Sequence, residues 1–428
     1  MALGGRLAGL VVLGLLLVAL PGGWLAGYFI LLLIALGVDL ALAAAIAPIR
    51  LTRTASAAVR LGETGETVLR LRNTGSRPLR AQVRDAWVPS AGSTPRSHWV
   101  QIPRGEARTL TSALRPTRRG ERPAAQVTIR SFGPLRLAAR QRRVSVPGVI
   151  KVLPAFTSRR FLPEKLSRLR QIDGAVLVHQ RGQGSEFDSL REYVLGDDVR
   201  AIDWRATARS GDVVVRTWRP ERDRHVILVV DTGRTAASRI ADAPRLDAAL
   251  DASLLLAAVA ARAGDRIGLV AADVAVRARM SLTGGPELLP GLVAALTPLE
   301  PHLVETDPQL LAAEVRRRSA QRALVVVFGA LDSGSAESGL LPLVRALVAR
   351  HQVVVASVAD PRLGELAASR SDLAEVYAAA AAERALAQRR EVSQRLAALG
   401  VRVVDAPVDI FASRVADAYL DLKAAGRL

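Results

Sequence analysis

Cysteine is absent from this 428-residue chain. That removes disulfide scaffolds, Cys-ligated zinc, iron–sulfur clusters and thiol nucleophiles together. Histidine is scarce: His98, His179, His225, His302 and His351 stand singly and never form an H-x-x-x-H pair, which speaks against a zinc enzyme. Lysine is almost missing. Only Lys151, Lys165 and Lys423 occur, so the net charge of +19 is carried almost entirely by arginine. With the high alanine content, that skew reads as codon bias rather than as a functional choice. No phosphate-binding P-loop is present, because Gly62-Glu63-Thr64-Gly65-Glu66-Thr67 lacks the lysine, and ATP hydrolysis by the chain itself is unsupported. No G-x-S-x-G elbow occurs, and no local context suggests a Ser-His-Asp set. What the chain does have is apolar material: 50 % of its residues are hydrophobic, enough for real cores and too much for wholesale disorder. The length suggests about two to four domains.

Two apolar runs open the chain. Leu7 to Leu20 carries no charge, nor does Trp24 to Val38, and after Asp39 an apolar stretch continues through Ile46 to Pro48. The second run, about 25 residues, can cross a hydrocarbon core of roughly 30 Å at about 1.5 Å per residue. The first, extended by Ala2 to Gly5, is nearer the lower limit of about 17 residues. Pro21-Gly22-Gly23 between them is a tight turn. Arg6 precedes the pair, and Arg50 and Arg53 follow it. Positive charge on both outer flanks predicts a transmembrane hairpin, with helices at about 5–21 and 24–47 and both ends in the cytoplasm. A cleaved signal peptide is the competing reading. Against it, Pro21-Gly22-Gly23-Trp24 is a poor cleavage site and a second membrane-length segment follows at once. Asp39 lies about two thirds along its span, which suits helix pairing or a wet position near the interface better than a functional intramembrane acid.

From 51 to 150 the period changes to two. Thr67-Val68-Leu69-Arg70-Leu71-Arg72, Gln82-Val83-Arg84, Gln126-Val127-Thr128-Ile129-Arg130 and Leu135-Arg136-Leu137 alternate, separated by turn signals at Gly62, Asn73-Thr74-Gly75, Pro89, Gly120 and Gly133-Pro134. Short alternating strands at this spacing predict an antiparallel β-sandwich-like domain over 51–153. This stretch holds nineteen arginines against five acids, a net of +14. Nucleic-acid binding would want aromatic platforms among the arginines, and only Trp87, Trp99 and Phe132 are present. Attraction to anionic lipid headgroups and an ordinary solvated arginine face remain as alternatives.

The segment 154–224 contains a dense mixture of acids, arginines and aromatics. Gly184-Ser185-Glu186-Phe187-Asp188-Ser189-Leu190-Arg191-Glu192-Tyr193 is followed by Gly196-Asp197-Asp198-Val199-Arg200-Ala201-Ile202-Asp203-Trp204-Arg205-Ala206-Thr207-Ala208-Arg209. Spacing alone reads as an ion-paired loop capping a domain edge. The run G-x-E-F-x-S-L-R-E-Y-x-x-G-D-D-x-R-x-I-D-W-x-A-T-A-R also resembles the hallmark of the domain of unknown function 58 family. These are bacterial and archaeal membrane proteins with a von Willebrand factor A-like domain, often encoded beside MoxR-type AAA+ ATPases. The likeness extends into Arg216 to Arg224, and the apolar hairpin and β-module match the family's usual layout. On this resemblance the signature residues Glu186, Phe187, Leu190, Arg191, Tyr193, Gly196, Asp197, Asp198, Arg200, Asp203, Trp204 and Arg209 are candidate interaction residues.

From 225 to 428 apolar strands alternate with helical stretches. Val226 to Val230, Ile267 to Ala271, Val274 to Met280, Ala323 to Phe328, Val353 to Val358 and Val401 to Val404 read as strands. Leu246 to Ala263, Pro308 to Arg318, Leu341 to Arg350, Asp372 to Ala398 and Phe411 to Ala424 read as helices; the fourth, capped by Ser371, is expected to cover the sheet, with docking of a partner through Arg384, Arg389, Arg390 and Arg395 as the alternative. This predicts a mostly parallel, doubly wound sheet that binds ligands at the carboxyl ends of its strands. The resemblance implies a cation site there, where von Willebrand A domains carry D-x-S-x-S plus a separate threonine and aspartate. Asp231 and Thr235 fit, Gly233 replaces the middle serine, Thr306 could supply the threonine, and only Asp332 follows the Ala323–Phe328 strand. Magnesium tolerates little departure from octahedral oxygen geometry, so the expectation is a degenerate site, with Mg²⁺ as the only cofactor it could still hold.

The reading is therefore a multidomain chain: a transmembrane hairpin at 1–50, the basic β-module, the signature segment, and a von Willebrand factor A-like α/β domain at 225–428. The expected role is a non-enzymatic interaction protein of the bacterial inner membrane with its body in the cytoplasm. The resemblance implies a MoxR-type AAA+ ATPase as partner in assembling other complexes. Membrane lipids are expected partners; nucleic acid and a small-molecule substrate are not. The alternatives are a cell-envelope adhesion or structural protein with its body outside, or a hydrolase using the Glu186–Arg209 cluster.

Overall fold

The computed structural model describes residues 2–3, 5–16, 24–179, 186–194, 197–219, 224–240, 242–332, 334 and 336–428. The chain forms two compact units, Met1–Leu153 and Pro154–Leu428.

The first unit begins with two apolar helices, α1 (Gly5–Leu16) and α2 (Trp24–Leu42). Among the described residues, α2 is the one helix long and apolar enough to cross a membrane. The expected turn at Pro21–Gly23 and residues 17–20 of the expected first helix lie outside the described residues. Tyr28 on α2 donates its hydroxyl to the Leu10 carbonyl of α1 at 2.7 Å. The second helix stops at Leu42 rather than continuing to 47, because Ala44 and Ile46 are drawn into the core of the following sheets. Asp39 neither pairs the helices nor sits in water. Its carboxylate is fully buried and accepts the backbone N–H groups of Leu135 (2.7 Å), Leu137 (2.8 Å) and Ala138 (3.2 Å). A burial this complete needs several donors to offset lost hydration, and the turn supplies them. Gly133 makes the approach possible, since a Cβ there would collide with the Asp39 carbonyl and carboxylate.

Eight strands of five or more residues follow: β1 (Ile49–Ala55), β2 (Gly65–Asn73), β3 (Leu79–Trp87), β4 (His98–Ile102), β5 (Ala107–Leu114), β6 (Gly120–Phe132), β7 (Ala138–Val144) and β8 (Val149–Leu153). One sheet runs β1-β2-β5, with the two-residue strand Ser93–Thr94 beside β5 at its edge. In the other, β3 lies between β4 and the long β6, whose far edge pairs with β7 along one half and β8 along the other. Alternate residues of β2 and β3 are buried. Leu69, Leu71 and Leu110 from one sheet meet Leu79, Val83, Val127 and Ile129 from the other in a shared core. The alternation at Leu135-Arg136-Leu137, which predicts a strand, is instead the turn that Asp39 organises. Arg53 is buried in this unit and pairs with Asp85, while its guanidinium stands 5.1 Å over the ring of Trp87. Burial lowers the Arg53 pKa against the opposing pull of Asp85.

The second unit opens with α3 (Leu162–His179) and the hairpin of β9 (Glu186–Glu192) and β10 (Val214–Arg219), which encloses a short helix, α4 (Trp204–Ser210). The remaining elements are, in chain order, β11 (His225–Asp231), α5 (Arg245–Arg262), β12 (Arg266–Ala272), β13 (Val276–Thr283), α6 (Leu288–Leu296), α7 (Pro308–Arg318), β14 (Leu324–Phe328), α8 (Leu341–Val348), β15 (Gln352–Ala359), α9 (Pro361–Ala368), α10 (Leu373–Ala398), β16 (Arg402–Pro407) and α11 (Val408–Ala424). They build one sheet in the order β13-β12-β11-β14-β15-β16, parallel except for β13 at its edge. In β11, Val226, Leu228 and Val230 face α5, α6 and α11, while Ile227 and Val229 face α7, α8 and α10. That two-sided burial is why the strands are continuous apolar runs rather than alternating ones. The N-cap of α10 is Asp372, not Ser371. Its carboxylate accepts the Glu375 N–H at 2.8 Å, while the Ser371 hydroxyl and N–H both go to the Glu375 carboxylate.

Two measurements follow from this packing. Asp85→Asn leaves a buried guanidinium without its counter-charge and should cost about 3–5 kcal/mol, whereas replacing Arg53 and Asp85 together by apolar residues of similar volume should cost far less. A denaturation double-mutant cycle reads the difference. His351 is only 5 % exposed, with neither ring nitrogen hydrogen-bonded, and burial, with Arg350 nearby, lowers its pKa from the ordinary 6.5. The unfolded chain therefore takes up a proton below pH 6.5 that the folded chain refuses. Stability is full above that pH and falls as the pH drops toward the folded value, by at most about 1.4 kcal/mol per pH unit. A His351→Leu variant should lose that component of the pH dependence.

Candidate functional site

The sheet of the second unit offers its strand ends where β11 lies between β12 and β14, so that the chain leaves the centre in both directions. A ligand cleft is expected at such a crevice. Asp231 is the last residue of β11. One of its carboxylate oxygens accepts the Gly233 N–H at 2.7 Å and the hydroxyl of Thr306; the other accepts the Thr235 hydroxyl at 2.8 Å. Thr306 arrives on a loop fastened to the 232–234 segment. His302 N–H donates to the Thr232 carbonyl, and Arg234 N–H to the Val304 carbonyl, both at 2.8 Å. Beneath this loop Asp273 is wholly buried and binds Arg277 (2.8 Å), the Thr232 hydroxyl (3.1 Å) and the Ala275 N–H (3.0 Å), with His302 Nδ1 at 3.0 Å. Burial pushes its pKa up, but Arg277 and the other donors outweigh that and hold it below the ordinary carboxylate value.

Three of the four candidate metal ligands are thus hydrogen-bonded together, while Asp332, which lines the same cleft as Thr235, is engaged elsewhere. It faces Arg245 (3.3 Å) and Arg389 (3.5 Å). Arg389 is itself mostly buried and bound to Asp405, the Ser357 hydroxyl (3.2 Å) and the Val358 carbonyl (3.3 Å). A cleft of about 670 Å³ opens here, lined by Arg234, Thr235, Leu303, Asp332, Gln388 and Arg389. Asp231, Thr235 and Thr306 bring side-chain oxygens to one point, and Gly233 adds none. A side chain at position 233 would run into the Thr306 hydroxyl, with the Val304 carbonyl 2.8 Å away, so the loop fills the place of the missing serine. Among the described residues no cluster of three or more His, Asp or Glu could hold a metal. The sequence reading missed Arg245, Asp273, His302 and Arg389. Only Asp273 carried a signal, being a charged residue directly after an apolar strand.

The signature segment is a hairpin whose charges bind one another. Arg191 grips Asp197 with both terminal nitrogens (2.8 and 2.6 Å), and the other side of the pair accepts the Val194 N–H at 2.9 Å. Hydrogen bonding to Asp197 raises the Arg191 pKa. Asp198 caps the single turn Val199–Ala201 through the Arg200 N–H at 2.9 Å. Asp203 is the N-cap of α4, accepting from Arg205 (3.0 Å) and Ala206 (3.1 Å), and also binds Arg216 at 2.7 Å. The Ala206 bond, with Arg216, lowers its pKa. These are the N-cap roles that Asp performs well. Tyr193 pairs its N–H with the Val213 carbonyl at 2.7 Å. Arg200 and Arg209 are exposed. Gly196 lies outside the described residues, and Glu186 and Phe187 contribute backbone to β9. Leu190 (44 %), Val194 (61 %), Val199 (62 %) and Trp204 (68 %) stand exposed around the hairpin.

The chain is similar to solved structures over parts of its length. Conserved hypothetical protein BatB from Bacteroides thetaiotaomicron covers 47 % of this chain and 99 % of its own at 13 % identity, with a TM-score of 0.32. The CARDB domain of the PF1109 protein from Pyrococcus furiosus covers 23 % of this chain and 86 % of its own at 17 % identity, with a TM-score of 0.17. Among curated sequences, uncharacterized protein Rv1480 of Mycobacterium tuberculosis (strain ATCC 25618 / H37Rv) and uncharacterized protein Mb1516 of Mycobacterium bovis are each 30 % identical over 187 residues, 43 % of this chain. The chain spans 58 % of the length of these relatives. Residues 189–397, which begin within β9 and take in the rest of the signature hairpin, the Asp231 loops and all but the last strand of the parallel sheet, match the model described as protein of unknown function DUF58.

Proposed function

We propose that the protein is a membrane-anchored, non-enzymatic interaction protein. In this reading α1 and α2 form a two-helix anchor in the bacterial inner membrane, with the body in the cytoplasm. The short pairing of Ala2–Leu3 with Ala138–Ala139, beside the turn that holds Asp39 near the end of α2, supports a hairpin with both ends on one side. The second unit is read as a von Willebrand factor A-like domain, on the strength of its parallel order and of Asp231 at the central strand end. Its partner is a MoxR-type AAA+ ATPase, working with this protein in the assembly or maturation of other complexes.

The observation that carries this reading is the state of the signature hairpin. Asp197, Asp198 and Asp203 are spent on guanidinium and backbone donors, which leaves no carboxylate among them placed as a free general base. Among the exposed arginines and acids, the hairpin also turns outward Leu190, Val194, Val199 and Trp204, with Trp204 foremost. Exposed tryptophan is enriched among the residues that anchor protein-protein contacts. The same consumption of charge weakens the hydrolase alternative.

The direct test is reconstitution. Detergent-solubilised full-length protein, mixed with a purified MoxR-type ATPase from the same organism and a non-hydrolysable ATP analogue, should co-elute. Trp204→Ala should weaken the complex by at least about tenfold, the range for an interface anchor, with an unchanged melting temperature. No complex with the nucleotide-loaded ATPase, or a complex indifferent to Trp204, rejects the reading. Titrating Mg²⁺ into the full-length protein should give no saturable heat and no shift in melting temperature. Asp231→Asn should lower stability by about 1–3 kcal/mol through the hydrogen bonds it disturbs. Micromolar Mg²⁺ affinity that vanishes in that variant would show a working cation site.

A further inference from the structure

The turn between β6 and β7 has a strained residue at its tip. Arg136 has φ of 59°, in the left-handed region that residues with a Cβ seldom adopt. It is held there from both sides, because the N–H groups of Leu135 and Leu137 donate to different oxygens of Asp39. Strain maintained by a buried carboxylate is a reason to ask what the turn displays. It displays Leu135, 47 % exposed, and the Arg136 guanidinium, 5.2 Å from the ring of Trp99. Trp99 is 57 % exposed and lies 5.2 Å from the ring of Phe132. Three arginines converge on the same place: Arg77 donates to the Ala41 carbonyl (2.7 Å), Arg140 to Leu40 (3.2 Å) and Arg6 to Leu135 (3.5 Å).

We propose that Trp99, Leu135 and Arg136 form a contact that rests in the headgroup layer of the bilayer crossed by α2. The inference rests on the membrane reading of α2 and adds to it the surface of the β-module that meets the lipid. Asp39 is within the last turn of α2, so a group hydrogen-bonded to it lies at the depth where the apolar helix ends. That depth is the boundary between hydrocarbon and water. Tryptophan is enriched there because its ring is apolar and its N–H polar, and arginine gains from anionic headgroups, at about 1 kcal/mol per residue near the surface. The bilayer is the occupant argued for because Leu135 is hydrogen-bonded to Asp39, which lies on α2 between Val38 and Leu42, each 49 % exposed. The Asp39 clamp fixes the turn in the conformation that aims Leu135 outward. It ties the module to its anchor through a rigid joint rather than a flexible tether.

The absence of cysteine allows a nitroxide to be placed at one chosen position in the full chain. Three variants serve, reconstituted in vesicles of mixed zwitterionic and anionic phospholipid: Leu135→Cys; Val149→Cys, equally exposed at 47 % but opposite Pro123 on the far half of β6; and Leu33→Cys on the exposed side of α2. Collision with a water-soluble nickel chelate should be several-fold lower at 135 than at 149, while collision with lipid-soluble oxygen is higher. If 33 is lipid-exposed but 135 matches 149, the headgroup contact is wrong and the anchor stands. If 33 itself meets the chelate freely, α2 does not span the bilayer, and both readings fall. Protection of 135 from chelate and oxygen alike would place protein, a second copy or another partner, on the patch and overturn the lipid assignment.

Discussion

A carboxylate taken out of water must be met by donors, and the structure meets several of its buried or half-buried acids in the same few ways. Asp39 takes three backbone N–H groups from a turn. Asp85 takes a buried guanidinium and the Trp87 indole at 3.2 Å. Asp203 and Asp231 fasten the segments that leave a strand or enter a helix, and Asp265 binds the Tyr419 hydroxyl and Lys423. Because lysine is nearly absent, the cationic partners are mostly arginines, whose planar fork engages a carboxylate bidentately, as Arg191 does with Asp197. Removing one member of such a pair leaves the other uncompensated, so these contacts hold connections together by making alternatives costly.

The same economy shapes the functional reading. At the strand ends of the second unit, the oxygens that could have faced a cation are turned on one another and on Gly233, and Asp332 is held by Arg245 and Arg389. In the signature hairpin Arg191 pairs with Asp197 and Arg216 with Asp203, while Arg200 and Arg209 stay exposed. Exposed apolar side chains stand beside these charges, Trp204 in the second unit and Trp99 in the first. The charged residues position these surfaces, and burial of the apolar side chains supplies most of the affinity in contacts of this kind.

Much of the architecture was legible in the sequence because it follows from periodicity. The parallel strands read as apolar runs because both of their faces are covered, and β2, β3 and β6 alternate because one face of each is wet. Periodicity misled where a polar group from far along the chain set the backbone. Leu135-Arg136-Leu137 alternates like a strand and is a turn, since Asp39, roughly a hundred positions earlier, collects its N–H groups. Ser371 and Asp372 are both good caps, and the choice fell to Asp372 because Glu375 takes both donors of Ser371.

Of the strand-end site, the sequence located Asp231, Thr235 and Thr306 by their order and by resemblance to a known motif. It could not show that the loop carrying Thr306 occupies the space above Gly233, because that closeness is made by hydrogen bonds between segments about seventy residues apart. Nor could it show that Asp332 turns toward Arg389. Composition and hydrophobic spacing by themselves determined the membrane-length helix, the basic β-module and the alternating α/β body, because each is a local consequence of which side chains avoid water. Only the tertiary structure decided which carboxylates are consumed and which apolar side chains are left outside, since both depend on donors and neighbours that the chain brings together by folding.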